Sequence, residues 1–445
     1  MSGTREQFSS RFGGLMTIVG VSIGLGHVWR FPYMVGKFGG AAFVLFYTLV
    51  SVVIGVPALM AEFALGRHTR RGPVGAFQLG GLPMGKQVGW FFFLVVTAAT
   101  GYYSAVIGWV LYYTLGQAAM VAKIPFDAAA ILPPDHGFVL KSFLLQMICT
   151  GIVIIACALV VLKGVRKGIE VVSTIVLPAM TIVTILVMIR SLTLPGAMAG
   201  VRFYLLEFRF SDLTANVMAA AIGHAIFALS LGGTFMVVYG SYLRDDEILS
   251  RPAWWTVIGD TGSSLIAGLA IIPAVFAFHL EPASGPGLIF TTLPRVFAAM
   301  PAGWLFGTLF FISLLGAGYL SDIGAVEVLV AGLTDNTKYT RKQAVWVMSL
   351  ACFVLAVPPA INNAIFVPWD LTFGSGMQTL GSLFAVVTVA YCMNRSAALK
   401  QLFGAGEKPV PMWVFYWIRY GIPVIIVGVG VYWLLTQVFH AIDSI

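Results

Sequence analysis

Two glycine-rich interruptions are the positions best able to do chemistry: GVSIGLGHVWRFP, with Gly20, Gly24 and Gly26, and FALSLGGT, with Gly232 and Gly233. Each lies midway along an apolar run long enough to cross a bilayer. If the helix unwinds there, half-helix ends offer free N–H groups to an anion and free C=O groups to a cation. If it does not, the glycines serve close helix packing. Residue types alone leave both readings open. His27 follows the first interruption, and its imidazole offers nitrogen, which suits a proton or a transition metal better than sodium. Arg30 and Tyr103 also fall within apolar runs, and a charge at such depth is a functional signal by default. No HExxH pair, nucleophile elbow or lysine-bearing phosphate loop is present, so the chain does not read as an enzyme.

The elements that must position these residues are membrane helices. The chain of 445 residues is 59% hydrophobic and 10% charged, with a mean hydropathy of +0.92, and so lacks the charged surface that a soluble fold of this size needs. Eleven apolar runs fall at 11–36, 40–66, 88–121, 137–162, 168–193, 214–243, 253–279, 303–333, 343–360, 368–394 and 411–439. A helix of about 20 residues spans the hydrocarbon, whereas a β-barrel would show only ten-residue alternation. The predicted class is therefore an all-α polytopic membrane protein with a single transmembrane domain over 1–445.

The net charge of +8 forms no basic stripe with interleaved aromatics, so no nucleic-acid partner is expected; the partner is the lipid bilayer. Basic residues such as Arg67, Arg70, Arg71, Lys163, Arg166, Lys167, Arg244, Lys338, Arg341, Arg395 and Lys408 share one side of an eleven-span arrangement. Lys37, Lys123, Arg202, Arg209 and Arg295 populate the other. The positive-inside rule then puts the N-terminus in the cytoplasm and the C-terminus outside, in a plasma (inner) membrane. The polar opening MSGTREQFSSRFG and the long first run do not read as a signal peptide. Cys149, Cys157, Cys352 and Cys392 all lie in or beside apolar runs and read as small hydrophobes.

RFGGLMTIVGVSIGLGHVWRFPYMVGKFGGAAFVLFY followed by GVPALMAEFALGR resembles the first two helices of the neurotransmitter:sodium symporter family. YGSYLRDD, PASGPGLIFTTLP and GAGYLSDIGAVEVLVAGLTDN resemble later segments of that family, in order. The resemblance implies alternating access on an inverted 5+5 repeat, near 11–193 and 214–394, with runs 1 and 6 unwound at mid-membrane and 411–439 as an extra helix. It also implies a solute site formed by the backbone of Val21, Ser22, Gly24, Leu25 and Gly26 with Tyr103, Phe227, Ser230 and Ser321, and by Ala99, Gly233 and Ala325 at its apolar end. Members that bind monoamines carry an aspartate where this chain has Gly24, so a solute with its own carboxylate, an amino acid or a close relative, is expected. The small Gly233 and Ala325 leave room for a large side chain unless neighbours repack into it.

The same resemblance implies an outer gate of Arg30 and Asp370 and an inner one of Arg5 and Asp335. A second sodium site would use Gly20, Ile23, Ala317 and Ser321, with Leu320 where a hydroxyl is usual. The first site departs further: His27, Ala228 and Gly259 stand where oxygen-bearing side chains are usual, and only Ser22 supplies a hydroxyl nearby. One sodium is therefore expected, with His27 either replacing the first ion, as a proton carrier beside the solute carboxylate, or resting as a hydrogen-bonded neutral group. A His27, His224 and Asp260 network is one form of that second reading. Ser263 leaves chloride dependence open, and Glu62 is expected to brace the interruption in run 6. A monomer or weak homodimer is the expected assembly. The competing function is a transporter-derived solute sensor or a channel-like protein without coupled transport.

Overall fold

The computed structural model describes residues 5–121, 124–281, 287–404 and 411–438; Lys123, Lys408 and the first part of PASGPGLIFTTLP lie outside them. Among the described residues the chain is helical without strands. This follows from the solvent, because main-chain polar groups within hydrocarbon must pair inside their own segment.

The first run is a bent pair, α1 (Arg11–Ser22) and α2 (Gly26–Lys37), with an angle of 50° between them. There follow α3 (Ala41–Thr69), α4 (Gly85–Ala119), α5 (Leu140–Leu162) and α6 (Val165–Leu192). The sixth run is divided into α7 (Ala215–Ala228) and α8 (Phe235–Tyr242). After these come α9 (Ser250–Ala277), α10 (Gly303–Asn336), α11 (Arg341–Leu355), α12 (Asn363–Cys392) and α13 (Met412–Thr436). Eight of these helices are long and apolar enough to cross a membrane, and the bent pair makes nine. The ninth run is shorter than its hydropathy implies: α11 has 15 residues and gives way to turns before Pro358 and Pro359, which cannot donate to a continuing ladder.

Burial sorts centre from periphery. In α4, 83% of the most apolar window is buried, against 22% in α6 and 18% in α13, so α4 is central and α13 peripheral. Around α4 pack α5, α10 and α11, while α1 is held by α6, α9 and α10, and α8 lies on α3. Both interruptions therefore sit inside the bundle, where irregular backbone is tolerated because protein covers it.

Candidate functional site

At the first interruption α1 stops at Ser22, Ile23 is extended (ψ 99), and helix resumes at Gly26. At the second, residues 229–234 join α7 to α8, with Ser230, Gly232 and Thr234 at φ 52, 85 and 59. Left-handed backbone costs little at glycine and strains the other two. Gly232 has a further reason to lack a side chain, since its Cα faces the main chain of Gln378 and Ser382 on α12. Glu62 Oε1 accepts from the Gly232 N–H at 2.9 Å, satisfying a donor that the missing helical turn leaves over.

Between the two interruptions lies a cavity with about 580 Å³ of space outside atoms, part of it continuous with solvent. Of the expected solute residues, Ser22, Gly24, Gly26, Ala99, Tyr103, Phe227, Ser230, Ser321 and Ala325 line it. Val21 and Leu25 are buried against α10 beside Gly324 and Gly318, so only their main chain is available to the site. Gly233 does not line it. The ring of Phe235 fills the space beside Gly233, 2.7 Å from where a Cβ would stand, so the extra room that its small size predicts is taken by repacking. Sequence reasoning missed Phe235, Thr100, Tyr102 and Gln378 as lining residues; the spacing of Phe235 along a broken helix gives no sign that it faces inward.

The Leu25 N–H donates to the Tyr103 hydroxyl at 2.9 Å, which leaves that hydroxyl's own proton to donate elsewhere. A side chain at Gly24 would stand 2.6 Å from the Tyr103 oxygen and 3.1 Å from Ser321 Oγ. No acidic side chain lines the cavity among the described residues, so a carboxylate entering it meets donors without a competing negative charge.

His27 also lines the cavity, with both ring nitrogens engaged: Nε2 lies 2.6 Å from Asp260 Oδ1, and Nδ1 accepts from the Gly24 N–H at 3.1 Å. A direct bond from His27 to a solute carboxylate is therefore not how the ring is placed. Of the expected three-membered network the His27–Asp260 pair is present, and His224 stands outside it. His224 makes no hydrogen bond among the described residues and instead packs among the rings of Phe31, Phe43 and Tyr47, at centroid distances of 5.6, 6.2 and 5.4 Å. Ser22 Oγ donates to Val19 O at 2.9 Å and keeps its acceptor capacity.

Of the residues expected at the second cation site, Ile23 and Ala317 line a separate cavity with Thr181, Thr184, Ser263 and Ser313. Val19, Ile23, Leu177, Met180, Ala317 and Leu320 form an apolar cluster there, and the Leu320 methyl approaches Gly20. The side-chain oxygens of that cavity are the hydroxyls of Thr181, Thr184, Ser263 and Ser313, whereas Ser321 lines the central cavity. Asp322 turns the other way, accepting from Ser104 Oγ at 3.0 Å.

At one end of the bundle the Arg30 guanidinium lies 4.8 Å from the centroid of Phe227, and Asp370 neighbours the Tyr102 hydroxyl. At the other end Arg5 Nη1 donates to both oxygens of Asp335, at 2.9 and 2.7 Å, while its Nε reaches Ser241 Oγ at 3.1 Å. Burial lowers the Arg5 pKa, but Tyr242, Asp335 and Glu327 outweigh it and hold the group above its ordinary value. Sequence reasoning missed the layer behind this pair, in which buried Glu327 accepts from Tyr242 at 2.6 Å and from Arg341 Nη2 at 2.5 Å. It also missed Glu170, which accepts from the Ser9 N–H at 2.9 Å and seats the N-terminal segment against α6.

Comparison with known proteins adds to this geometry. The sequence model of the sodium:neurotransmitter symporter family matches residues 5–130 and 139–441. The chain is 32% identical over 441 residues to the sodium-dependent transporter YhdH of Bacillus subtilis, covering 95% of this chain and 96% of the relative. It is 28% identical over 472 residues to the sodium-dependent dopamine transporter of Bos taurus, covering 93% and 67%. The crystal structure of MhsT in complex with L-phenylalanine superposes with a TM-score of 0.85 at 31% identity, covering 96% of this chain and 99% of that one. A multi-pass membrane protein matched along nearly its whole length in this way is a transporter and not an enzyme, and the chain belongs to the sodium:neurotransmitter symporter family.

Proposed function

We propose that the chain is a sodium-coupled symporter that carries an amino acid or a close relative by alternating access. The observation that carries this reading is the interrupted α1–α2 pair, where the Leu25 N–H and the Tyr103 hydroxyl meet at the wall of a cavity free of acidic side chains among the described residues. With the Leu25 N–H spent on its oxygen, the Tyr103 hydroxyl has its own proton left to donate to a carboxylate seated at the half-helix end. The binding of L-phenylalanine by MhsT supports an amino acid as the solute.

In this reading eleven spans form two inverted repeats, near 11–193 and 214–394, with the N-terminus cytoplasmic and the C-terminus external in a plasma (inner) membrane. The solute rests on the main chain from Val21 to Gly26 and against Tyr103, Phe227, Ser230, Ser321, Ala99 and Ala325. Sodium travels at the second site, among the carbonyls of Gly20, Ile23 and Ala317 and the Ser321 hydroxyl. The first site is altered by His27. Arg30 and Asp370 close the outer path, and Arg5 and Asp335 the inner one.

The test is uptake of labelled L-phenylalanine and other amino acids into proteoliposomes under separate sodium and proton gradients, with His27→Asn beside the parent. Uptake driven by the sodium gradient and competed by carboxylate-bearing amino acids is expected. Uptake indifferent to both gradients, with no counterflow of any amino acid, would overturn symport and favour a transporter-derived sensor.

A further inference from the structure

The His27–Asp260 pair joins two helices that the sequence keeps far apart, at a place where neither side chain reaches water: the side chains are 1% and 0% exposed. A buried carboxylate is costly unless it is paired, and a buried imidazole nitrogen must find a partner. Here each solves the other's problem, and for a neutral ring the distances assign one proton arrangement. With Asp260 Oδ1 accepting at 2.6 Å from Nε2–H, the lone pair stays on Nδ1. Nδ1 lies 3.1 Å from the Gly24 nitrogen and 3.2 Å from the Gly24 oxygen, and a lone pair selects the first. The Gly24 N–H is thus consumed by α9 acting through His27, and the next amide, that of Leu25, is left to the Tyr103 hydroxyl.

The ring has a second consequence. His27 is the one residue common to the linings of the central cavity and of the hydroxyl-bearing cavity beside it. Turning the imidazole out of its place would join the two spaces and free the Gly24 peptide at once. Asp260 prevents that turn from the far side, while its second oxygen makes no hydrogen bond among the described residues. Nearby, Tyr47 is occupied with Ser264 at 3.2 Å. The carboxylate is therefore held between the His27 ring and the Tyr47 hydroxyl, with the ring its nearest partner.

We propose that Asp260 is a positioning residue for solute binding: through His27 it sets the Gly24 peptide and holds the ring as a partition between the two cavities. This rests on reading the α1–α2 interruption as the seat of the solute's carboxylate. The readout is therefore first taken without solute, so that failure of that reading and failure of this one can be told apart. Hydrogen exchange by mass spectrometry on the full-length protein would follow peptides covering residues 20–31.

Asp260→Ala, which leaves Nε2–H without an acceptor, is expected to raise exchange there on the order of tenfold, with α4 and α5 unchanged. Asp260→Asn keeps an acceptor oxygen and is expected to retain most of the protection. His27→Asn should loosen the same peptides, and adding Asp260→Ala to it should change little more. Should Asp260→Ala fail to fold, the first contrast is read between Asp260→Asn and His27→Asn. In proteoliposomes with labelled L-phenylalanine, Asp260→Ala is expected to raise KM on the order of tenfold while the maximal rate stays within about twofold. Exchange at 20–31 equal to the parent's in Asp260→Ala or, if that protein does not fold, in His27→Asn overturns the proposal. So does exchange that rises equally throughout the helices, since that is the signature of a general stability defect.

Discussion

Replacing Asp335 by asparagine tests whether the inner pair holds the cytoplasmic face shut. The carboxylate receives two bonds from Arg5 Nη1, at 2.9 and 2.7 Å, and one from the Gly72 N–H at 2.5 Å. The two side chains are only 13% and 14% exposed, so water screens them little. Asparagine keeps a single acceptor oxygen and no charge. One charge-assisted bond is then lost and another weakened, which together favour the closed face less by about 2 kcal/mol. That free energy corresponds to roughly a thirtyfold rise in the open population. A cysteine at Thr17, fully buried in α1, reports opening through its reaction with a membrane-impermeant maleimide in inside-out vesicles. Its labelling rate is expected to rise roughly thirtyfold in Asp335→Asn, in line with that population. Labelling at the parent's rate would mean that Ser241 and Tyr242 hold Arg5 unaided, and that the ion pair is not the latch.

Tyr103→Phe removes the acceptor of the Leu25 N–H, and affinity for labelled L-phenylalanine in a scintillation proximity assay is expected to fall on the order of tenfold, with Tm unchanged. Equal affinity would remove Tyr103 from the solute site. Gly24→Ala sets a methyl 2.6 Å from the Tyr103 oxygen, so binding of every amino acid tested should be lost while the protein still purifies as a folded species. Phe235→Ala opens the space beside Gly233, and competition assays should then show bulkier amino acids gaining on smaller ones; an unchanged ranking would show that Phe235 does not set the pocket's size.

Much of the fold is legible because the bilayer leaves the chain few choices. An apolar run in lipid must be helical, so hydropathy finds α3, α4, α5 and α6 directly. The interruptions are legible for a related reason: glycines clustered at mid-run relax the helix where nothing else would, and at Gly232 the close main chain of α12 admits no side chain. The inner pair is legible only through the family resemblance, since Arg5 and Asp335 read by themselves are equally ordinary interfacial charges. Glu327 was harder, because only packing shows that Tyr242 and Arg341 converge on it.

What the sequence withheld concerns partners and not elements. His27 and Asp260 are separated by 233 positions, and the sequence offers their pairing only as part of a network with His224, without the orientation of α9 that brings it about. His224 looked suited to join them, yet the rings of Phe31, Phe43 and Tyr47 enclose it and it makes no hydrogen bond among the described residues. Gly233 shows why residue size is a poor guide to cavity shape. In a continuous helix Phe235 would point some 200° away from it, at about 100° per residue, but Thr234 at φ 59 breaks that relation and returns the ring to the space the glycine leaves. Where the backbone is irregular, then, the volume open to a solute is set by the side chains that the break redirects, and a pocket inferred from aligned small residues will be drawn too large.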